Sequence, residues 1–101
     1  MKFRKKPLEA YGFQFNGTWP EVMNELDKIS EDITGTGFRI ESGHRPPITM
    51  NRDVDDGPVL QIDTGHGIAI AWPGDYVVLD GDGFFYPVRQ NIFEATYEVT
   101  S

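Results

Sequence analysis

Apolar and polar positions alternate near the start of the chain. Across residues 7–15, Glu9, Tyr11, Phe13 and Phe15 fall on one side of an extended segment. Leu8, Ala10, Gly12 and Gln14 fall on the other. A period of two with aromatic residues suits a strand laid on a core, and Asn16-Gly17 ends it. The period then changes. Val22, Leu26, Ile29 and Ile33 form one stripe at spacings of four, three and four, with Met23 beside it and Glu25, Asp27, Lys28 and Glu31 outward. That stripe predicts a helix of about twelve residues. Thr18 and Glu21 stand as a capping box, Pro20 is tolerated in the first turn, and residues 34–37 (Thr-Gly-Thr-Gly) stop the helix.

Residues 38–41 read as a short strand. The segment 42–58 holds Pro46-Pro47 and a run of Asp, Gly and Pro, which predicts a long irregular loop, functional or mobile. Strands at 59–63 and 68–72 form a hairpin across Thr64-Gly65-His66-Gly67. Pro73-Gly74 fits a type II turn, after which 76–79 returns, 80–83 turns and 84–88 comes back. Residues 92–99 close the chain as a strand, with Phe93, Ala95, Tyr97 and Val99 on one face. The sum is an α+β domain: one antiparallel sheet of five to seven strands, largely a meander, with one helix packed on it. A partly closed barrel is the rival architecture, because five glycines between Gly65 and Gly83 could bend the strands round.

Length changes this picture little: 101 residues make one domain, 1–101, able to bury a core without disulfides. Having no cysteine, the chain has no thiolate nucleophile and no thiolate metal site. No apolar run is long enough for a signal-peptide core or a membrane span, so a soluble intracellular protein is expected, without membrane association. Sixteen acidic against nine basic residues give a net charge of −7, which disfavours general nucleic-acid binding. Lys2, Arg4, Lys5 and Lys6 stand out as a basic N-terminal arm, 1–6.

Candidate chemistry is sparse. His44 and His66 lie in separate loops, with no second ligand at helical or strand spacing, so they read as exposed loop residues rather than a metal pair. Asp80-Gly81-Asp82-Gly83 lacks the remaining EF-hand ligands and reads as a hairpin turn. The glycine-rich turns lead into no helix, which removes a phosphate cradle. Asp75 reads as a turn-capping carboxylate. No metal, cofactor or catalytic residue is expected, and the chain is read as no enzyme.

Aromatic residues are more suggestive. Trp19, Trp72, Tyr76, Phe84, Phe85, Tyr86, Phe93 and Tyr97 exceed what one side of a small sheet can hide. Phe84 and Phe85, adjacent in a strand, must face opposite ways. Either further elements cover the second face, or an aromatic patch beside Arg89 stays open to a partner, a second copy or a planar ligand. Binding candidates are therefore Arg4, Lys5, Lys6, Trp72, Phe84, Phe85, Tyr86 and Arg89.

Three blocks carry a family resemblance. They are Phe3-Arg-Lys-Lys-Pro7 with Glu9-Ala10; Pro73-Gly-Asp-Tyr-Val-Val78 leading to Gly83 and Phe85-Tyr-Pro87; and Ile92-Phe-Glu-Ala-Thr-Tyr-Glu98. In these blocks, at both ends but not in the middle, the chain resembles a family of small accessory proteins of tailed bacteriophages and prophages. The resemblance implies expression in the host bacterial cytoplasm and implies no known activity. Here Leu79-Asp80-Gly81-Asp82 is acidic where many members are more basic, which argues against anion binding by that hairpin. The leading expectation is a non-enzymatic binding module acting on a host or phage protein. One alternative is a small-molecule binder that sequesters a host nucleotide signal, with Arg4, Lys5, Lys6, Arg39 or Arg89 meeting phosphates. A weaker alternative is an acidic DNA mimic using Asp53, Asp55 and Asp56. Free sheet edges and surplus aromatics also invite a homodimer.

Overall fold

A computed structural model describes residues 2–5, 8–37, 39–41, 46–52 and 57–99, the backbone alone at 2–5, 8–9 and 98–99. Among these residues the elements run β1 (Lys2–Lys5), β2 (Leu8–Gln14), α1 (Trp19–Asp32), β3 (Ile48–Asn51), β4 (Val59–Asp63), β5 (Ile68–Ala71), β6 (Tyr76–Leu79), β7 (Phe85–Val88), α2 (Gln90–Thr96) and β8 (Tyr97–Val99). The class is α+β and every strand pair is antiparallel. The strands divide between two sheets. A five-stranded sheet has the order β7-β6-β2-β1-β8 and a three-stranded sheet the order β3-β4-β5, and neither closes into a barrel.

Register explains which side chains meet. In the large sheet Tyr11 lies opposite Leu79, Phe13 opposite Val77, and Leu79 opposite Phe85, so these share one face. That face is buried. It packs against Val22, Ile29 and Ile33 of the α1 stripe and against Ile48, Leu60, Ile62 and Ala71 of the small sheet. The reverse face presents Ala10, Tyr76, Val78, Tyr86 and Val88, and Phe93 of α2 covers it. Phe93 stacks between Tyr76 at 3.7 Å and Tyr97 at 4.7 Å between ring centroids. Each such pair contributes about 0.5–1.5 kcal/mol beyond the area it buries.

Several expectations need correction. Residues 92–99 are not one strand: α2 occupies Gln90–Thr96 and only Tyr97–Val99 extend as β8. A spacing of four, as between Phe93 and Tyr97, puts two residues on one face in a strand and in a helix alike. The Gln90 amide donating to Glu94 Oε1 at 3.1 Å uses the same helical spacing. The segment 42–58 is not wholly irregular, because β3 lies inside it. Pro47 stands just before that strand, where proline is tolerated, and its carbonyl extends the ladder by accepting from Asp63 N at 2.8 Å. Residues 39–41 form no strand. They meet the 80–83 turn rather than a sheet edge, through Glu41 N donating to Gly83 O at 2.7 Å.

Residues 2–5 of the basic arm form β1, between β2 and β8. Arg4 stands opposite Glu9 on one side and Glu98 on the other. Thr18 precedes α1 but makes no side-chain cap. Its hydroxyl donates instead to Asn16 Oδ1 at 2.9 Å.

Candidate functional site

Of the residues expected to form a binding face, those with described side chains do not converge. Phe85 is fully buried in the main core. Phe84 lies against the β4–β5 turn, where its ring would stand 3.1 Å from a Cβ added to Gly65. Gly65 also has a φ of +81°, so both space and backbone require glycine there. Tyr86 faces the other way, its hydroxyl 3.0 Å from that of Tyr97. Burial first, then the Tyr97 hydrogen bond and the Tyr97 and Asp80 charges, hold the Tyr86 phenol well above its ordinary value. Trp72 is half-buried, its backbone N–H donating to Asp75 Oδ2 at 3.0 Å. Arg89 is exposed ahead of α2. Arg4 and Lys5 are placed in β1 by backbone alone, and Lys6, His44, Asp53, Asp55 and Asp56 lie outside the described residues.

The expected turns do hold. Asp75 N donates to Trp72 O at 2.9 Å with Gly74 at a φ of +99°, and the buried Asp75 carboxylate caps the loop. In the 80–83 turn the Asp80 carboxylate accepts from Asp82 N and Phe84 N. His66 is exposed in the β4–β5 turn. No group of three or more His, Asp or Glu among the described residues is arranged to hold a metal ion.

A groove lies elsewhere, beside the edge strand β3. Its position traces back to the 72–75 turn. Phe15 N donates to Asp75 O at 2.9 Å and Gly74 N to Phe15 O at 2.7 Å, fixing the end of β2. Asn16 Oδ1 then takes the Thr18 N–H at 3.1 Å, and the next residue, Trp19, opens α1. Trp19 packs partly on the core, as do Met50 and Ile40. Its remaining surface, with Ile48, Met50 and Arg52, walls a cleft of about 690 Å³. A second cleft of about 460 Å³ runs between Trp19, Pro20, Arg52 and Pro58. A third, of about 340 Å³, continues over Thr49 and Gln61 to Asp63 and Ile68.

Shared walls join the three. Trp19 and Arg52 line the first and second, while Pro46, Thr49 and Gln61 line the first and third. Thr49, Gln61 and Ile70 lie abreast in register on the outer face of the small sheet. Ile68 and Ile70 are exposed on that face, at 51% and 39%.

The lining suits contact more than bond-making. Among the described residues Arg52 is its cation, and its carboxylate, Asp63, accepts from Gly65 N at 3.0 Å within the β4–β5 turn. No histidine or serine lines it among the described residues. Sequence reasoning counted Trp19 among the surplus aromatics but left it, with Met50 and Arg52, out of the binding candidates. The available signal was the long 42–58 segment, of a length found in functional or mobile segments, and the Trp19-Pro20 pair at a helix start. Comparison with known proteins adds nothing to this geometry: no family model, no curated protein and no solved structure matches the chain.

Proposed function

We propose that this chain is a phage-encoded accessory binding module without enzymatic activity. In this reading it works in the host bacterial cytoplasm, holding a host or phage protein in the groove beside β3. The phage part rests on the three sequence blocks at 3–10, 73–87 and 92–98. The binding part rests on one observation, the continuous groove walled by Trp19, Met50 and Arg52. Tryptophan and arginine at the centre of a recess are the residues on which protein interfaces concentrate their affinity. Exposed Ile68 and Ile70 extend the apolar surface along the same sheet face.

The test is affinity capture from a host lysate by the wild type and by a filled variant, Thr49→Tyr with Gln61→Tyr. Both positions are exposed, so the change obstructs the groove without entering the core. A protein captured saturably by the wild type and lost with the filled variant is the expected result. No saturable partner, or one retained by the filled variant, overturns the reading.

A second reading has one observation in its favour. About 690 Å³ lies within the range of small-molecule sites, roughly 300–1,000 Å³, and a ring beside a guanidinium suits a nucleotide base with phosphate. A thermal-shift panel of nucleotides separates the two. A ligand at a hundred times its dissociation constant stabilises by about 2.7 kcal/mol. A flat response across the panel removes this reading.

A further inference from the structure

We infer that the groove takes an extended peptide segment of the partner carrying an acidic residue with apolar side chains on either side, the acid facing Arg52. The inference rests on the protein-binding reading and specifies the partner's chemistry. Arg52 is exposed and forms no salt bridge or hydrogen bond with any described residue. Two other cations among the described residues are matched locally: Arg39 Nε stands 2.7 Å from Glu41 Oε1, and Lys28 Nζ stands 3.5 Å from Glu25 Oε1. Arg89 likewise has no partner among the described residues, but lines none of the three clefts. Arg52 therefore combines apolar walls with a charge that no described residue matches.

A partner that covered Arg52 without offering a negative charge would bury a guanidinium unpaired, which is strongly unfavourable. A carboxylate matches its planar fork of donors. Trp19 and Arg52 border the first and second clefts alike, so a chain crossing here meets apolar recesses on both sides of the charge. Side chains of an extended ligand alternate, so every second one enters the groove. The expected motif is apolar-x-acidic-x-apolar. A nucleotide fits less well, because its phosphates carry more than one negative charge and Arg52 is the one cation among the described lining residues.

A displayed library of random dodecapeptides, selected in parallel on the wild type, Arg52→Glu and Lys28→Glu, tests this. Wild type is expected to enrich the acidic motif, and Arg52→Glu to replace the acid by Lys or Arg. The affinity of a wild-type-selected peptide is expected to fall at least about tenfold in Arg52→Glu, and to stay within about twofold in Lys28→Glu, which reverses the same charge away from the groove. Circular dichroism confirms that each variant is folded. Enriched peptides without an acid, bound equally by Arg52→Glu, overturn the inference and leave the protein-binding reading standing. Failure of the wild type to bind any peptide or lysate protein removes both. Competition by AMP or a cyclic dinucleotide, or self-association abolished by Arg52→Glu, shows that the occupant is a nucleotide or a second copy instead.

Discussion

Aromatic side chains of the closing stretch, between Tyr76 and Tyr97, and the indole of Trp19 have opposite fates. Phe85 fills the main core, and Tyr76, Tyr86, Phe93 and Tyr97 close the reverse face of the large sheet under α2. Trp19 is partly covered, as Tyr76, Tyr86 and Tyr97 are, but the surface it leaves open walls a groove. A rich aromatic cluster in a small domain thus reflects demand for packing on two sheet faces. A single ring at a helix start, beside an edge strand and an arginine that no described residue pairs, is what the proposed docking surface rests on. Aromatic number did not distinguish these cases; the presence of a covering element did.

Substitutions in the closing stretch should therefore act on stability. Phe85→Ala removes a fully buried ring and should cost about 3–5 kcal/mol in urea denaturation. Phe84→Ala, half-buried against Gly65, should cost clearly less. Equal losses would mean that the two rings are equally buried, against the comparison. Phe93→Ala should follow at about 3 kcal/mol, because it opens the stack between Tyr76 and Tyr97.

Smaller effects sharpen the same contrast. Gly83→Ala should cost about 1–3 kcal/mol. Gly83 has a φ of +90°, and a Cβ there would meet Arg39 O at 3.0 Å and Glu41 Cγ at 2.9 Å. Tyr86→Phe should cost about 1 kcal/mol through its hydrogen bond to Tyr97. It should also change the alkaline response. The folded Tyr86 phenol holds its proton above the ordinary value of 10.0, so between that value and its raised one the native state binds more protons than the unfolded. That contribution to stability is fully present below pH 10 and is lost as pH rises above it, so Tyr86→Phe should flatten the fall in denaturation midpoint at high pH. An unchanged alkaline profile would place Tyr86 outside the packed cluster.

Much of the fold was legible because its signals are local. The alternation of β2, the stripe of α1 and the turns at Pro73-Gly74 and Asp80–Gly83 each follow from residues close in sequence. What failed was ambiguous or non-local. Phe93 and Tyr97 satisfy strand and helix periods together, so the choice of α2 depends on the bare sheet face it covers. Ile48–Asn51 is too short to show a period between Pro47 and the Asp-rich run, and pairs only because β4 runs beside it. The division into two sheets is likewise a property of pairing. The groove was illegible for the same reason: Trp19 and Arg52 are over thirty positions apart, brought together by α1 and β3.

The most direct test of that groove is amide and indole chemical-shift mapping of the wild type, titrated with a peptide selected from the displayed library. Perturbations at the Trp19 indole and the amides of Thr49, Met50, Arg52 and Gln61 are predicted, with Tyr86, Arg89 and Phe93 unmoved. Perturbations centred on Trp72, Tyr86 and Arg89, with the Trp19 indole unchanged, would return the binding face to the closing stretch and contradict the account.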